Sequence, residues 1–277
     1  MDKRFTTPLA ILLVVGASLA CSMLRTKGPL NWHLTLEIDA PASGRDAAIK
    51  QTIGVLESRL NALGISSFEV KPQGDPASGR ILLSLPDTVD RERLKRVITA
   101  AGKLELVHVI TPPSPMAVQT YATKETAVAS LNSAGTIPSN RRVLPYTERA
   151  DLVGAKPAKW VVIESPAIIN GSDLRNASAV PGRGNGDDNY EISFSLRKEG
   201  ADKFGSWTGA NIDQYLGVVL NDEVKSIAFI KSQISDQGVI KGRFTKQAAE
   251  DLALILKSGS LPFPVKVVGE SSIEIKR

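Results

Sequence analysis

Residues 32–64 read WHLTLEIDAPASGRDAAIKQTIGVLESRLNALG, and two different periods follow one another within them. Leu34, Leu36 and Ile38 alternate with Thr35 and Glu37, the period of two that marks a half-buried strand. Over 47–63 the apolar residues Ile49, Ile53, Leu56, Leu60 and Leu63 recur at steps of four, three, four and three, which lays one stripe along an amphipathic helix ended by Gly64. Working outward, strands are expected at 67–72 and 80–85, on either side of the turn-rich Gln73-Gly74-Asp75-Pro76-Ala77-Ser78-Gly79. A second helix follows over 90–101, with Asp90 as N-cap, Leu94, Val97, Ile98 and Ala101 inward, and Gly102 as its stop. Residues 103–110 alternate Leu104 and Leu106 with Lys103 and Glu105 and read as a fourth strand. The order strand, helix, strand, strand, helix, strand is that of the ferredoxin-like βαββαβ fold. The expected class is therefore α+β, with a ferredoxin-like base over 30–111.

Thr111-Pro112-Pro113-Ser114-Pro115 can continue neither a strand nor a helix, so it marks a boundary. An irregular excursion is expected over 112–158, with a short helix near 125–131, before regular pattern returns in a mixed α/β head over 159–264. There, strands are read at 160–164, 190–196, 216–220, 224–230 and 239–244, and helices at 199–212 and 246–257. Asn221-Asp222 forms a short turn, Thr245 a cap and Gly259 a stop. A final strand over 265–268 returns toward the start of the body, within a C-terminal strand and tail over 265–277. The glycines of 181–188 lead into a strand instead of a helix N-terminus, so they read as an exposed loop and not as a phosphate cradle.

Residues 1–27 form an export or anchoring segment. FTTPLAILLVVGASLACSML, 5–24, carries no charge and is flanked by Lys3, Arg4 and Arg25. Three fates share this pattern. At about 1.5 Å per residue it just crosses a ~30 Å hydrocarbon layer as an uncleaved anchor. Ser18-Leu19-Ala20 offers small residues for cleavage before Cys21, and Cys21 at that point resembles the acylated cysteine of a lipoprotein, with Ser18 where a Leu is usual. Each fate puts the body outside the cytoplasm.

The formal charge of +5, from 34 Lys and Arg against 29 Asp and Glu, invites a nucleic-acid reading. Lys3, Arg4, Arg25 and Lys27 against Asp2 account for most of it, leaving 30 positive and 28 negative charges on the remainder, with no basic run and only 5% aromatic residues. Nucleic acid is not an expected partner. A single cysteine excludes an intrachain disulfide and a cysteine zinc cluster, and His33 and His108 sit apart in strand-like runs, so no metal site is expected. Ser195-Leu196-Arg197-Lys198 matches the Ser-x-x-Lys spacing of penicillin-binding enzymes, but Ser195 falls on the solvent side of a strand where that class needs a helix start. No nucleophile elbow or phosphate loop occurs, and neither Asp187-Asp188 nor Glu250-Asp251 has a context suited to acid–base chemistry. No catalytic residue and no cofactor is expected.

Two stretches resemble the SecD subunit family of the bacterial Sec export machinery. One runs from Gln51-Thr52-Ile53 through Arg59-Leu60-Asn61-Ala62-Leu63-Gly64 to Lys71-Pro72-Gln73-Gly74 and Arg80-Ile81-Leu82-Leu83-Ser84-Leu85-Pro86. The other includes Phe194-Ser195-Leu196, Gly200-Ala201, Phe204-Gly205, Leu216-Gly217-Val218-Val219-Leu220-Asn221, Ile240-Lys241-Gly242-Arg243-Phe244-Thr245 and AAEDLALILKSGSLPFP over 248–264. The resemblance covers most of 34–268 and corresponds to the family's first periplasmic domain, which implies a ferredoxin-like base near the membrane and a protruding head. It implies a non-enzymatic role in which the domain engages emerging preprotein late in export, with the Sec channel and a SecF-like or SecD C-terminal partner as associates. It also implies a bacterial inner-membrane location, with one N-terminal anchor and the body on the periplasmic side. The family's Asp-Leu-Arg-Gly-Gly motif is replaced by Arg25-Thr26-Lys27-Gly28-Pro29-Leu30, and no residue up to Arg277 inherits the family's proton-conducting carboxylate. A different outcome, a free-standing periplasmic lipoprotein or binding module that keeps this fold, would go with acylation at Cys21.

Overall fold

The computed structural model of the chain describes residues 29–87, 89–111, 117–131, 136–146, 159–182 and 189–273. Its first elements are β1 (Trp32–Ile38), α1 (Arg45–Ala62), β2 (Glu69–Pro72), β3 (Arg80–Leu85), α2 (Arg91–Thr99) and β4 (Leu104–Val109). Next come α3 (Lys124–Ala129), β5 (Arg141–Tyr146), β6 (Lys159–Glu164), β7 (Ile169–Asn170), β8 (Leu174–Pro181) and β9 (Tyr190–Leu196). The chain continues through α4 (Lys198–Ala210), β10 (Tyr215–Leu220), β11 (Glu223–Phe229), β12 (Gln237–Phe244), α5 (Lys246–Ser258) and β13 (Val265–Ser272).

The base is an antiparallel sheet in the order β13-β1-β3-β2. Trp32, Leu34, Leu36 and Ile38 point to one face of it and pack with Leu56 and Leu60 of α1 and Leu94 and Ile98 of α2. Here the structure corrects the sequence reading. The strand expected at 103–110 to complete the base leaves it, and β13 takes the fourth place, antiparallel to β1 with Trp32 opposite Ser272. The reason lies in the side chains. An edge strand over two helices needs one apolar face, but β4 is apolar on both, with Leu104 and Leu106 in one core and Val107 and Val109 in another. β13 buries Val265 and half-buries Val267 while exposing Lys266 and Val268, as an edge allows.

Glu270 fastens β13 to its neighbours. Its carboxylate accepts from the Trp32 indole at 3.0 Å and pairs with Lys95 of α2 at 2.7 Å, while the Arg91 guanidinium stacks 4.9 Å above the Trp32 ring. Lys95 holds the Glu270 carboxyl below its ordinary 4.5, outweighing the opposing effect of burial, and the Trp32 indole acts in the same direction as Lys95. Between 4.5 and the lower folded value the unfolded chain binds more protons than the folded one. This contribution to stability is therefore complete above pH 4.5 and disappears as pH falls through the folded value. Glu270→Gln is expected to flatten the acid limb of the urea midpoint plotted against pH; acid limbs of equal steepness in the two proteins would refute the assignment.

Everything from β4 to α5 is inserted between α2 and β13. β4, β10, β11, β5 and β6 close into a small barrel, with β7 added beside β4. Val107, Val109, Leu144, Val161, Ile163, Val219 and Val224 fill it, and α3 covers Val143 and Val162 from outside. β5 lies inside the stretch read as irregular, because Pro145 and the short apolar pair Val143-Leu144 conceal its period from the sequence. The remaining strands form a sheet ordered β12-β9-β8, and α4 and α5 join its buried face to the barrel through Phe194, Phe204, Leu216, Ile240 and Ala253. Asn221 and Asp222 both take positive φ, at 52° and 60°, making the tight turn between β10 and β11.

Candidate functional site

The chain passes between base and head twice, outward at 100–103 and back at 259–264. The outward passage leaves α2 after Thr99 through an extended Ala100 and turns at Gly102, φ 70°, and the return passage begins at the C-cap of α5, Gly259, φ 90°. The two passages touch, since the Leu261 N–H donates to the Ala101 carbonyl at 2.9 Å.

Arg59 of α1 lies beneath this junction. It follows Leu56 by three positions and adjoins Leu60, so the helix carries it on its apolar stripe, and it is fully buried. Its Nη1 donates to the carbonyls of Val97, Ile98 and Ala100 at 2.8, 3.3 and 2.6 Å. Nη2 donates to Gly259 at 3.0 Å and more weakly to Ala101 at 3.5 Å. These are carbonyls at and just beyond the ends of α2 and α5, where helices leave oxygens unpaired and the dipole is negative. Burial pushes the guanidinium down to about 10, which still leaves it protonated at neutral pH. One side chain thus holds the outward passage and the return passage to the same helix.

On the head side the outward passage is fixed just as firmly. The Lys103 N–H donates to Asn221 Oδ1 at 3.0 Å, and the Asn221 N–H donates to the Lys103 carbonyl at 2.9 Å. Lys103 and Arg142 both pair with Glu105 and Asp222, at 2.6–3.4 Å, tying this end of the barrel together. Gly102 is left between a residue bonded to the return passage and one bonded to the head. A second link spans base and head directly. Arg93 of α2 reaches Asp251 of α5 through Nη2 at 2.7 Å and Nε at 2.8 Å, and Gln247 donates to the same carboxylate at 3.0 Å. Beside the return passage an open groove of about 470 Å³ is lined by Gln51, Gly54 and Val55 of α1 and by Ser258, Ser260 and Pro262.

Cys21, the one residue singled out in the sequence for cleavage or acylation, lies outside the described residues. His33 and His108 do not come together. The first bonds Ser84 within the base sheet at 2.9 Å, and the second pairs with Glu164 on the neighbouring strand β6 at 3.1 Å, with its ring in T-shaped contact with Trp207. Burial raises the Glu164 carboxyl, but His108 and Arg141 outweigh it and leave it below its ordinary value. Ser195 lies on β9 with Arg175 donating to its hydroxyl at 3.4 Å, and Lys198 turns away to pair with Asp202. Among the described residues no group of His, Cys, Asp or Glu could hold a metal ion, and no helix is long and apolar enough to cross a membrane. Of the junction residues, Gly102 was read only as a helix stop, and Arg59, Arg93 and Asp251 were given no structural role. Arg59 left a trace as a charge inside an otherwise apolar stripe.

Comparison with known proteins gives two adjoining matches. The family model described as "Protein translocase subunit SecDF, P1 domain, N-terminal" matches residues 49–111, and that of "SecDF, P1 head subdomain" matches 144–263. The protein translocase subunit SecD of Aquifex aeolicus is 32% identical over 232 residues, covering 83% of this chain and 40% of that protein. SecD of Koribacter versatilis is 35% identical over 230 residues, covering 83% and 39%. The chain therefore spans about two fifths of the length of these curated relatives. Among solved structures, a chain from work on SecDF as a membrane component that enhances protein export superposes with a TM-score of 0.59 at 27% identity, covering 88% of this chain and 99% of that one. SecDF in a super-membrane-facing form gives 0.63 at 26% identity, covering 87% of this chain and 30% of that one.

Proposed function

The chain belongs to the SecD/SecDF family, whose P1 domain it carries and which is a non-enzymatic translocase component, and on that premise we propose that it assists late steps of Sec-dependent export by engaging preprotein as it emerges. The observation that carries this reading is the pair of family matches in chain order, one on the base and one on the head, together with similarity to nearly the whole of a solved SecDF chain. The architecture supports a binding and conformational role, because the head is a closed unit reached by two short passages instead of a continuous layer. It also offers exposed apolar side chains at Ile212, Phe229 and Val239, of a kind suited to unfolded polypeptide.

In this reading the body lies on the periplasmic side of a bacterial inner membrane, tethered through 5–24, with the Sec channel and a SecF-like or SecD C-terminal partner beside it. The start of β1 and the end of β13 support such a tethering, since the Ile273 N–H bonds the Asn31 carbonyl at 2.7 Å and both chain directions leave the base at one end. Photo-crosslinking side chains at Phe229 and Val239, placed in the full chain in membranes holding a stalled preprotein, are expected to capture the preprotein and a Sec channel component. Adducts with neither would overturn the proposal. Ser18-Leu19-Ala20 before Cys21 favours a second reading, an acylated lipoprotein acting apart from the channel. Lipid-labelled Cys21 together with no channel adduct is the result that would select it.

A further inference from the structure

We propose that the free edge of β12 is a docking site for an extended stretch of unfolded polypeptide, which joins the head as a fourth strand of the β12-β9-β8 sheet. The proposal deepens the reading of the domain as a preprotein-engaging device and rests on it for the identity of the client, but the pairing itself is tested with a peptide alone.

The ladder is the first support. β12 lies at the edge of its sheet, antiparallel to β9, with Gly238 opposite Phe194 and Ile240 opposite Ile192. Just before it, the Leu196 N–H donates to the Asp236 carbonyl at 2.8 Å. Antiparallel strands bond at every second residue, so Asp236, Gly238 and Ile240 turn their main-chain groups toward β9, and Gln237 and Val239 turn theirs outward. Among the described residues no strand pairs with that outer edge, and no hydrogen bond meets the main chain of Gln237 or Val239 there. Donors and acceptors at strand spacing fit one kind of occupant, another extended backbone.

The edge is also set in advance. Ile240 is fully buried on the inner face, and the Phe194 ring fills the space where a side chain at Gly238 would lie. β12 is therefore fixed before anything binds, and only the incoming segment has freedom to lose. On the outer face Val239 is 43% exposed, in line with Ser193 of β9 and Ser178 of β8, whose side chains are too short to cover it. An added strand would bring a side chain to about 5 Å from Val239, measured between Cβ atoms, so an apolar residue there gains burial. The main-chain bonds are the same for every sequence. That combination suits a device that meets many different preproteins.

Length separates this client from a second copy of the chain. The register breaks between Ile240 and Phe244, where the exposed Lys241 begins a bulge, so the straight edge runs only over 236–240. Two copies joined through so short an edge would bury far less than the roughly 1,200 Å² at which stable protein pairs begin. A passing client needs only a brief hold.

The test follows amide exchange residue by residue in the full chain held in lipid nanodiscs, with and without a soluble peptide of alternating Thr and Val flanked by lysines. At about 90% occupancy the Gln237 and Val239 amides are expected to exchange about tenfold more slowly, while Gly238 and Ile240, already bonded to β9, stay as they were. A peptide with Pro in place of each Val cannot pair as a strand and should protect neither. Val239→Pro removes an outward N–H and no bond to β9, so it should abolish the protection of Gln237, whereas Val239→Thr should keep binding within about threefold. If Val239→Pro opens the sheet, seen as faster exchange at Ile192, the wild-type alternation and the Pro-bearing peptide still decide. Protection elsewhere without Gln237 and Val239, or equal protection at all of 237–240, would overturn the proposal. So would a Val239→Thr variant as defective as Val239→Pro, because apolar contact and not strand pairing would then hold the peptide. Slowing at Gln237 and Val239 that rises with protein concentration in the absence of peptide would give the edge to a second copy instead. A peptide that pairs here while no preprotein is captured in membranes would count only against the export reading.

Discussion

Replacing Arg59 by Met is expected to lower stability by about 3 kcal/mol, the scale of breaking a buried charged interaction. Two effects oppose each other. Met relieves the cost of holding a cation away from water, a cost visible in a guanidinium pushed down to about 10. It also leaves the carbonyls of Val97, Ala100 and Gly259 buried without the donor they now have, and each such orphan costs roughly 1–3 kcal/mol. Several acceptors against one desolvated cation decide the sign. Lys should rescue only part of the loss, since an ammonium is a point charge that cannot reach two passages with the geometry of a planar fork. The measurement is a urea titration followed by tryptophan fluorescence, with the midpoint expected to fall by ~1 M or more for Met. A Met variant within about 1 kcal/mol of wild type would show that the carbonyls find other donors.

The second large effect is expected at Gly102. Its φ of 70° is strained for any residue with a side chain, at about 1–2 kcal/mol. A methyl group there would also lie 2.6 Å from the Ile255 side chain and 3.0 Å from Arg59 Nη2. Overpacking of that kind adds about 1–3 kcal/mol, so Gly102→Ala should cost about 3 kcal/mol in all. Because the added methyl and the guanidinium compete for one space, Gly102→Ala combined with Arg59→Met should cost less than the two single losses together. Strict additivity in the same urea titration would mean that the two residues act on separate structures.

Much of the local structure could be read from the residues, because local structure answers to local causes. The stripe from Ile49 to Leu63 became α1, Asp90 caps α2 by accepting from the Arg93 N–H, and Thr245 does the same for α5 at Ala248. Gly259 ends α5 as expected, whereas α2 stops at Thr99 with an extended Ala100 as its cap, short of Gly102, which instead turns the chain that follows. The fold class was readable as α+β, but the partnership of strands was not. Period two says that a strand has faces, and not which sheet receives them; β4 and β13 were separated only by Val107 and Val109, which make the second face of β4 apolar as well. The junction was concealed for a related reason. Arg59 meets backbone carbonyls, which leave no sequence signature, and Arg93 and Asp251 look like ordinary surface charges of two helices until the fold lays those helices side by side.

The place of β13 also bears on the order in which the protein assembles. Trp32 and Glu270 lie 238 positions apart yet bond directly, so the base cannot close its sheet until nearly the whole chain has been made. Until then β1 has an open edge. Joining such distant strands through an unfolded loop would be slow, because loop-closure entropy must be met before any long-range contact forms. A head that folds first removes most of that delay, since its two ends lie one hydrogen bond apart at Ala101 and Leu261. The folded head then acts on the chain as a short connector and delivers β13 to within a few residues of its partner. The last strand of the base is thus recruited by a domain inserted before it, and slow folding of the head would appear as late formation of the base.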